Sequence, residues 1–395
     1  KMTFSVASAP LDKPDSIKAA SARLAKGYTD GLKRWNEAGV DLSGYDIINA
    51  VDDVYETRAA LGYEKIVLRA CSFGSQWSFA YLKRWPHTVD RALLDSIEPL
   101  DNAYDSPDWV WASVARVAKD AEASETLAPY IPEAGLMDAL RTVIKRLDNQ
   151  PISVDVTRPN STETVSVSLS GDDLRMGPAL RFWALGDGNE LAGLARWPKF
   201  VLELYHGDYR MLARMVLADR AGSNKKSLFE YTLDNSLGIS QARDERLKGE
   251  TARQWIETNF FYRATRSLDG APQEVDDSFR SDTPIKAPVL FFHGDYDWAT
   301  PLENAQHAAK FLKNGKLITV QGASHCSIWY TPKQLPKQRP ELTEAIHSFI
   351  DADFESVAPK TFLKSLPDRI ALDPLVFETL ETPALYDQAL DGESS

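Results

Sequence analysis

The sequence predicts an α/β protein in which a mostly parallel sheet is interrupted by a helical insertion. Two apolar strand patterns, 65–70 and 91–97, alternate with helix patterns near the start of the chain. The same alternation resumes at 287–297, after the stretch 101–282 in which it is lost. Because such alternation is typical of parallel sheets, both blocks are predicted to belong to one sheet.

The first block begins with two helix patterns, 14–38 and 47–60, whose apolar residues recur at helical spacing. The strand 65–70 follows and leads through a tight turn into a helix at 76–84, which Pro86 ends. This order of helix, strand, turn and helix predicts the first half of the sheet.

The second block adds a helix at 302–313, a strand at 316–321 and a final helix at 340–351. Between the blocks the sequence is mainly helical, with one candidate hairpin at 152–170. We predict four segments: 1–100 as the first part of the core, 101–285 as a mainly helical cap, 286–355 as the second part of the core, and 356–395 as a C-terminal tail on the surface.

The composition argues against several classes of function. The chain has 57 acidic and 45 basic residues and a net charge of −12, which leaves no excess of cations to neutralise nucleic-acid phosphates. No apolar run approaches the roughly 20 residues of a membrane-spanning helix. We predict neither a nucleic-acid partner nor a membrane span. No residues stand at zinc-site spacing, and no metal or other cofactor is predicted.

The stretch RACSFGSQW has the pattern of a nucleophile elbow, a sharp turn from strand to helix with a serine at its apex. Ala70 and Gly74, two positions either side of Ser72, are small, as the strained apex requires. The backbone N–H of Phe73 would lie at the helix N-terminus, where it can donate to an oxyanion. We predict Ser72 as the nucleophile and Phe73 as an oxyanion donor.

A serine nucleophile needs a base, and the base needs an acid that orients it. Asp297 and His325 each follow a strand pattern of the second block, at the carboxyl end where active sites of parallel sheets form. We therefore predict a triad of Ser72, Asp297 and His325.

Other residues compete for these roles. Asp295 is an alternative acid, although the spacing to Thr300 and Pro301 favours Asp297. Asp95 and Glu98 also follow a strand, where ordinary loop carboxylates are common. His293 ends a buried strand and is expected to be a hydrogen-bonded structural residue.

Two segments resemble the catalytic blocks of α/β-hydrolases of the prolyl and tripeptidyl aminopeptidase group: LGYEKIVLRACSFGSQWSFAYLKRWP and APVLFFHGDYDWATPLENAQHAAKFLKNGKLITVQGASHCS. The order of serine, acid and histidine is also that of α/β-hydrolases. The resemblance implies an α/β-hydrolase fold, with Ser72 as nucleophile, Asp297 as acid in a Gly-x-x-Asp-x-x-Thr-Pro motif, and His325 as base. The helical stretch between the blocks would correspond to the family's cap.

The chain has two cysteines, and both stand beside the predicted triad. Cys71 precedes Ser72 and Cys326 follows His325, so bringing serine and histidine together also brings the cysteines close. We predict a Cys71–Cys326 disulfide, with two buried thiols as the alternative. The arrangement resembles that of tannases and feruloyl esterases, in which such a bridge occurs. A disulfide favours an oxidising location, so a secreted or periplasmic protein is expected.

Strands are expected before the elbow of an α/β-hydrolase, and only the segment 2–7 could supply one here. The N-terminal strands of the fold are thus predicted to be absent from this chain. We expect either a truncation or, preferably, a cleaved precursor whose N-terminal fragment stays bound and completes the sheet.

The predicted reaction is hydrolysis of a carboxylic ester or lactone of a bulky apolar substrate through an acyl-enzyme. The alternatives are an exo-peptidase of the tripeptidyl or prolyl aminopeptidase type, acting on short peptides, and a non-catalytic ligand-binding homologue. Trp77, Glu98 and Trp298 are candidate substrate-binding residues. An aminopeptidase needs carboxylates for the substrate ammonium, and Glu98, Glu190 and Glu230 are candidates.

Overall fold

A computed structural model describes residues 1–176, 182–186, 188–222, 224–327 and 340–394. Its strands in chain order are β1 Thr3–Ser5, β2 Ile66–Cys71, β3 Val89–Asp95, β4 Ile152–Thr157, β5 Thr164–Leu169, β6 Lys225–Ser227, β7 Ile285–Gly294, β8 Leu312–Gln321 and β9 Arg369–Ala371.

The structure also describes seventeen α-helices. In chain order they are α1 Ile17–Glu37, α2 Ile47–Ala60, α3 Phe73–Arg84, α4 Pro107–Glu122, α5 Leu136–Asn149, α6 Gly171–Arg175, α7 Phe182–Leu185, α8 Glu190–Tyr205, α9 Arg210–Ala221, α10 Leu228–Leu237, α11 Gln241–Lys248, α12 Phe260–Thr265, α13 Asp277–Arg280, α14 Leu302–Ala309, α15 Pro340–Asp351, α16 Pro359–Ser365 and α17 Leu385–Ser394. None of these described helices combines the length and apolar character that crossing a membrane requires.

The central sheet has five strands in the order β2-β3-β7-β8-β9, and every neighbouring pair is parallel. The two predicted blocks therefore do form one sheet, as the sequence analysis proposed. The carboxyl ends of the strands meet at one edge, because Cys71 pairs with Asp95 and Gly294 pairs with Val320. Loops that follow the strands at this edge are thus brought together.

Apolar side chains bury both faces of the sheet. On one face α2, α3 and α14 contribute Ile47, Phe79 and Ala305 to a cluster with residues of β2, β3 and β7. On the other face Phe349 of α15 and Leu363 of α16 pack against β7 and β8. Helices on both faces are the arrangement expected for a parallel sheet.

The cap is built mainly from α4 to α12, with the antiparallel hairpin β4–β5. Its core is separate from that of the sheet and has Trp197, Phe200 and Leu212 fully buried at its centre. The predicted hairpin at 152–170 therefore lies within the cap.

The N-terminal residues lie against the cap, although the sequence analysis assigned residues 1–100 to the core. β1 pairs with β6, apart from the central sheet. The apolar stripe of α1, with Tyr28 and Leu32, packs with Phe4 and with Tyr231 of α10. An amphipathic helix buries its stripe wherever a matching apolar surface is available, and the cap provides that surface.

The segment after 356 is more than the surface tail that the sequence analysis predicted. β9 extends the central sheet beside β8, and Ile370 and Leu372 are buried there. The segment then reaches the cap, where the buried Lys199 donates to Glu378 (2.9 Å) and to the carbonyl oxygen of Pro383 (2.6 Å). The segment is held in place by contacts between residues distant in the chain, and its Pro-rich composition does not reveal such contacts.

β2 forms one edge of the central sheet, and its outer side has no partner strand among the described residues. Val67 on this strand is 45% exposed. β1, the strand that precedes β2 in the chain, belongs to a different sheet, as described above. The strand that leads to Ser72 is therefore an edge strand.

Candidate active site

Ser72 lies at the apex between β2 and α3 in a strained backbone conformation. Its φ of 58° and ψ of −134° fall in a region that residues other than glycine rarely adopt. The Ser72 N–H donates to the carbonyl oxygens of Asp95 (3.2 Å) and Ser96 (3.1 Å), which holds the apex against the end of β3. A side chain at Gly74 would place its Cβ only 3.1 Å from the Ala70 Cβ, so the small flanks are a packing requirement.

The helix after the elbow begins at Phe73, three residues before the predicted start at 76. The N–H of Phe73 is thus in the first turn, where an α-helix provides no backbone acceptor. It is available to a negatively charged oxygen near Ser72, and the helix dipole adds to this attraction.

Asp297 lies in the loop 295–301 after β7, here called the acid loop, and is fully buried. Its Oδ1 accepts from the N–H groups of Ala299 (3.0 Å) and Thr300 (2.8 Å), and its Oδ2 accepts from the Thr300 hydroxyl (2.9 Å). Both carboxylate oxygens lie 3.0 Å from Nδ1 of His325. Asp297 therefore holds the histidine through Nδ1, which leaves Nε2 as the nitrogen that can exchange a proton.

His325 lies in the loop 322–327 after β8, here called the base loop. Burial by itself would lower the pKa of His325, but the charge and hydrogen bond of Asp297 outweigh burial and raise it to about 9. Burial would likewise raise the pKa of Asp297, whereas the charge and hydrogen bond of His325 lower it to about 2. The pair therefore favours a carboxylate beside an imidazolium, the charge state that develops when a histidine accepts a proton from serine.

The alternative residues occupy other places. Asp295 accepts from the Gly322 N–H (2.7 Å), so it fixes the base loop and does not contact the histidine. His293 is fully buried, with Nδ1 accepting from the Ile97 N–H (3.1 Å) and Nε2 donating to the Thr300 carbonyl oxygen (2.7 Å). These contacts are those of a structural histidine.

A disulfide joins Cys71 and Cys326, whose Cα atoms are 5.7 Å apart. The bridge spans 255 residues of sequence and connects the elbow to the base loop. Because each cysteine is covalently adjacent to a predicted triad residue, the bridge confines Ser72 and His325 to the same small region.

Ser96, which the sequence analysis did not single out, holds the same two loops together. Its carbonyl oxygen accepts from Ser72 N–H, and its hydroxyl accepts from the N–H of Cys326 (2.6 Å). Ser72, Ser96 and Cys326 all have positive φ angles, of 58°, 50° and 54°. Strained residues concentrate at functional sites. The only sequence signal for Ser96 was its position near the end of the predicted strand 91–97.

Three carboxyl groups, Glu98, Asp105 and Asp234, form a group here called the carboxyl cluster. Burial raises the pKa of Glu98 well above its ordinary value, and the charges of Asp105 and Asp234 raise it further. Burial raises the pKa of Asp105 to about 8 and that of Asp234 to about 7. Arg243 opposes these shifts for Glu98 and Asp105, but its guanidinium donates to the Tyr104 carbonyl oxygen (2.7 Å).

The carboxyl cluster lies beside the triad. The charge of Asp297 acts on both Glu98 and Asp105, and that of His325 acts on Asp105. Glu98 and Asp105 remain partly exposed. Oδ1 of Asp105 is buried without a hydrogen-bond partner in the described part of the chain. The cluster can therefore accept hydrogen bonds from a cationic ligand.

The two tryptophans predicted to bind substrate differ in their surroundings. Trp77 is partly buried on α3, where its ring stacks on Tyr81 with centroids 5.4 Å apart. Trp298 stands in the acid loop, where its Nε1 donates to Glu190 (2.8 Å) and its ring contacts Phe182 (5.8 Å between centroids). Trp298 is thus next to the acid, whereas Trp77 packs within the core.

The other two candidate carboxylates already have partners. Glu190 accepts from the Ser324 hydroxyl (2.9 Å) as well as from Trp298. Glu230 is exposed and accepts from the Tyr262 hydroxyl (3.3 Å). Of the three carboxylates predicted for an ammonium, Glu98 is the one in the carboxyl cluster. Within the described residues no group of three histidine, cysteine or acidic side chains is arranged to hold a metal ion.

Residues 264–334 match the model of an α/β-hydrolase family described as "TAP-like protein". The matched segment contains β7, β8, Asp297 and His325. No curated protein matches the sequence.

Solved structures similar to the chain are α/β-hydrolases of low identity. MGS-M2, an α/β-hydrolase enzyme from a Medee basin deep-sea metagenome library, is 13% identical over 80% of this chain and 74% of that chain, with a TM-score of 0.33. Novel epoxide hydrolases from metagenomes of hot environments are 14% identical over 79% and 76%, with a TM-score of 0.32. The esterase RhEst1 from Rhodococcus sp. ECU1013 is 16% identical over 83% and 76%, with a TM-score of 0.30. At such TM-scores these structures carry no further argument.

Proposed function

We propose that this chain, an α/β-hydrolase by its strand order and its family match, is a serine hydrolase that works through an acyl-enzyme. One observation carries the proposal. Ser72 stands on a strained elbow that a disulfide ties to the loop in which Asp297 holds His325 at 3.0 Å. Strain and covalent restraint at this point are explained if the hydroxyl must be presented to a substrate.

In the proposed reaction, Ser72 Oγ attacks the substrate carbonyl carbon while Nε2 of His325 takes the serine proton. The carbonyl oxygen becomes an oxyanion and accepts from the Phe73 N–H, while Asp297 stabilises the imidazolium. The imidazolium then gives its proton to the departing alcohol or amine, which leaves an ester of Ser72. Water, deprotonated by His325, hydrolyses that ester and releases the acid.

Labelling with a fluorophosphonate tests this function without knowledge of the natural substrate. We expect the probe to react at Ser72, as located by mass spectrometry of the digested protein. A Ser72→Ala variant serves as the control and should not be labelled. A folded protein that is neither labelled nor active would favour the non-catalytic ligand-binding alternative.

Two substrate classes remain, esters of bulky apolar acids or alcohols and peptides with a free N-terminus. The sequence favours the ester. The carboxyl cluster favours the peptide, because a substrate ammonium would add a cation beside carboxyl groups whose pKa values stay raised despite the charge of Arg243. We therefore propose an aminopeptidase-type hydrolase as the second candidate. In this candidate Glu98 would bind the ammonium, because it is the member of the cluster that follows β3 most closely in sequence.

Comparing aryl esters with aminoacyl anilides separates the candidates. If the cluster binds an ammonium, the anilide with a free amino group should be hydrolysed faster than its N-acetylated form. Equal rates for the two forms would return the ester to first place. A pair that differs only in the charged group is the sharpest control, since the scissile bond is unchanged.

The surroundings of the protein form a further part of the proposal. The Cys71–Cys326 disulfide favours an oxidising compartment, so we propose a secreted or periplasmic protein. Alkylation of thiols with and without reductant, read by mass spectrometry in protein from its native source, tests this. Alkylated cysteines without reductant would contradict it.

We also propose that an N-terminal fragment of the same precursor pairs with the outer edge of β2. The support is the open edge itself, together with the exposure of Leu61 (66%), Tyr63 (59%) and Val67 (45%) beside it. Native mass spectrometry of protein from its source should detect a second peptide. A single species of fully active protein would contradict this part.

A further inference from the structure

Glu190, at the first turn of the cap helix α8, contacts both loops that carry the proposed acid and base. The side chain of Asn189 caps this helix by accepting from the Ala192 N–H (3.1 Å), which fixes the backbone at Glu190. Oε1 of Glu190 accepts from Trp298 Nε1 (2.8 Å) and from the Ser324 hydroxyl (2.9 Å). A single cap oxygen thus bridges two loops of the sheet.

The two donors are each one residue away from the triad. Trp298 directly follows Asp297, and Ser324 directly precedes His325. Another cap contact, from Arg116 of α4, is different, because its Nε donates to the Asp295 carbonyl oxygen (2.6 Å) in the acid loop. Glu190 spans both loops, so a shift of α8 is transmitted to the acid and the base together.

We propose that Glu190 is a positioning residue of the triad, which holds the acid loop and the base loop in register from the cap. This inference rests on the proposed serine-hydrolase function. It goes beyond that function because it makes the placement of the triad depend on the cap. It also replaces the ammonium-binding role that the sequence suggested for Glu190, since its oxygen is occupied by the two loops.

The charge of Glu190 has a second effect. The negative Glu190 raises the pKa of His325, in the same direction as Asp297 and Asp95. The other charged groups facing the histidine are Asp105 and His293. Burial raises the pKa of Glu190 itself, and the charge of His325 lowers it. Removing the negative charge of Glu190 should therefore lower the pKa of His325.

The pH dependence of the rate at which a fluorophosphonate labels Ser72 tests this inference. Glu190→Gln keeps an oxygen that can accept both hydrogen bonds but removes the charge. For this variant the acid limb of the rate profile should move to lower pH by about 0.5 unit, with a plateau rate within about twofold of the wild type. Glu190→Ala removes the acceptor, and its plateau rate should fall about tenfold.

Glu163→Gln is the matched control, because Glu163 is exposed in the β4–β5 hairpin and pairs with Arg158. It removes the same charge and should leave the profile unchanged. If Glu190→Ala does not fold, Ser324→Ala replaces it, since that variant loses one of the two bonds and should lower the plateau rate without moving the limb.

The outcomes separate this inference from the proposed function. If the wild-type protein is not labelled at all, the serine-hydrolase function fails. If it is labelled and the Glu190→Gln profile superimposes on that of the wild type, the electrostatic role is wrong. If the plateau rates of Glu190→Ala or Ser324→Ala equal that of the wild type, the positioning role is wrong.

Discussion

Asp297 and the carboxyl cluster lie beside one another, yet their surroundings shift the pKa values of these carboxyl groups in opposite directions. Asp297 accepts hydrogen bonds from two backbone N–H groups, one hydroxyl and His325, and its pKa is lowered. In the cluster, burial raises the pKa of Glu98, Asp105 and Asp234, and one oxygen of Asp105 is buried without a partner in the described part of the chain.

The difference separates a carboxylate whose charge the chain itself compensates from carboxyl groups whose charge the chain compensates only in part. The charge of Asp297 is matched by fixed donors, so its contact with His325 is preorganised before any ligand binds. The cluster has carboxyl groups without enough cations, and burying such groups costs free energy unless a ligand compensates. We propose that the first region supplies chemistry and that the second supplies recognition.

The largest expected effect is loss of the nucleophile. Ser72→Ala should lower the hydrolysis rate at least about 10⁴-fold, because no other group can form the acyl-enzyme. Steady-state kinetics on the best aryl ester or anilide measures the rate. Circular dichroism should show an unchanged fold. Residual activity within tenfold of the wild type would mean that Asp297 and His325 activate a nucleophile other than Ser72.

The next largest effect is expected from removing the disulfide. Cys71→Ala with Cys326→Ala should lower the free energy of unfolding by about 2 to 5 kcal/mol, because the bridge closes a loop of 255 residues between the cysteines. Denaturant unfolding measures the change. The wild type treated with reductant is the natural comparison. Unchanged stability together with unchanged activity would show that hydrogen bonds such as those of Ser96 suffice to join the two loops.

Glu98→Gln tests recognition separately from chemistry. For an anilide with a free amino group we expect KM to rise about 10-fold to 100-fold, since a charged hydrogen bond contributes about 1.5 to 3 kcal/mol. For a neutral ester KM should stay within about twofold. Glu163→Gln, an exposed change of the same kind, is the control. Equal effects on KM for both substrates would contradict the proposal that the cluster recognises the substrate ammonium separately from the triad.

The smallest expected effect is on stability and its dependence on pH. The pKa of Asp234 is about 7 in the folded state, above its ordinary value of 3.8, so the folded protein holds the proton more tightly. Its contribution is present below about pH 4 and is lost as pH rises to about 7. Asp234→Asn should abolish this loss, so the stability of the variant relative to the wild type should be greater at pH 8 than at pH 4.

Unfolding by denaturant at pH 4 and pH 8 measures this gain. Asp30→Asn is the control, because Asp30 is 64% exposed on α1. If the two stability curves of the Asp234 variant and the wild type run parallel, the carboxyl of Asp234 is not destabilised by burial.

Local sequence rules located much of the candidate site. An elbow with a strained apex restricts its neighbours to small residues, which made Ser72 recognisable from Ala70 and Gly74. The Gly-x-x-Asp-x-x-Thr-Pro motif made Asp297 recognisable, and in the structure its carboxylate accepts from the N–H and hydroxyl of Thr300. The cysteines stood out because each is covalently next to a predicted triad residue. In each case the constraint acts within a few residues along the chain.

Other features follow no local rule. The sequence did not reveal that α1 packs on the cap or that β9 joins the sheet, since an apolar stripe or short strand can be buried against any matching surface. It did not identify Asp105 and Asp234 as neighbours of Glu98, because the three come from separate loops and helices. Nor did it show that the carboxylate of Glu190 faces the triad loops.

The sequence by itself therefore determined the parallel sheet, the helical cap and the candidate triad with its pair of cysteines. Periodicity and turn chemistry are properties of neighbouring residues, and a sequence records neighbours directly. The tertiary structure alone decided which carboxyl groups are matched by donors and which are left buried together. That outcome depends on burial and on long-range electrostatic contacts, which exist only once folding has made distant residues such as Glu98 and Asp234 neighbours.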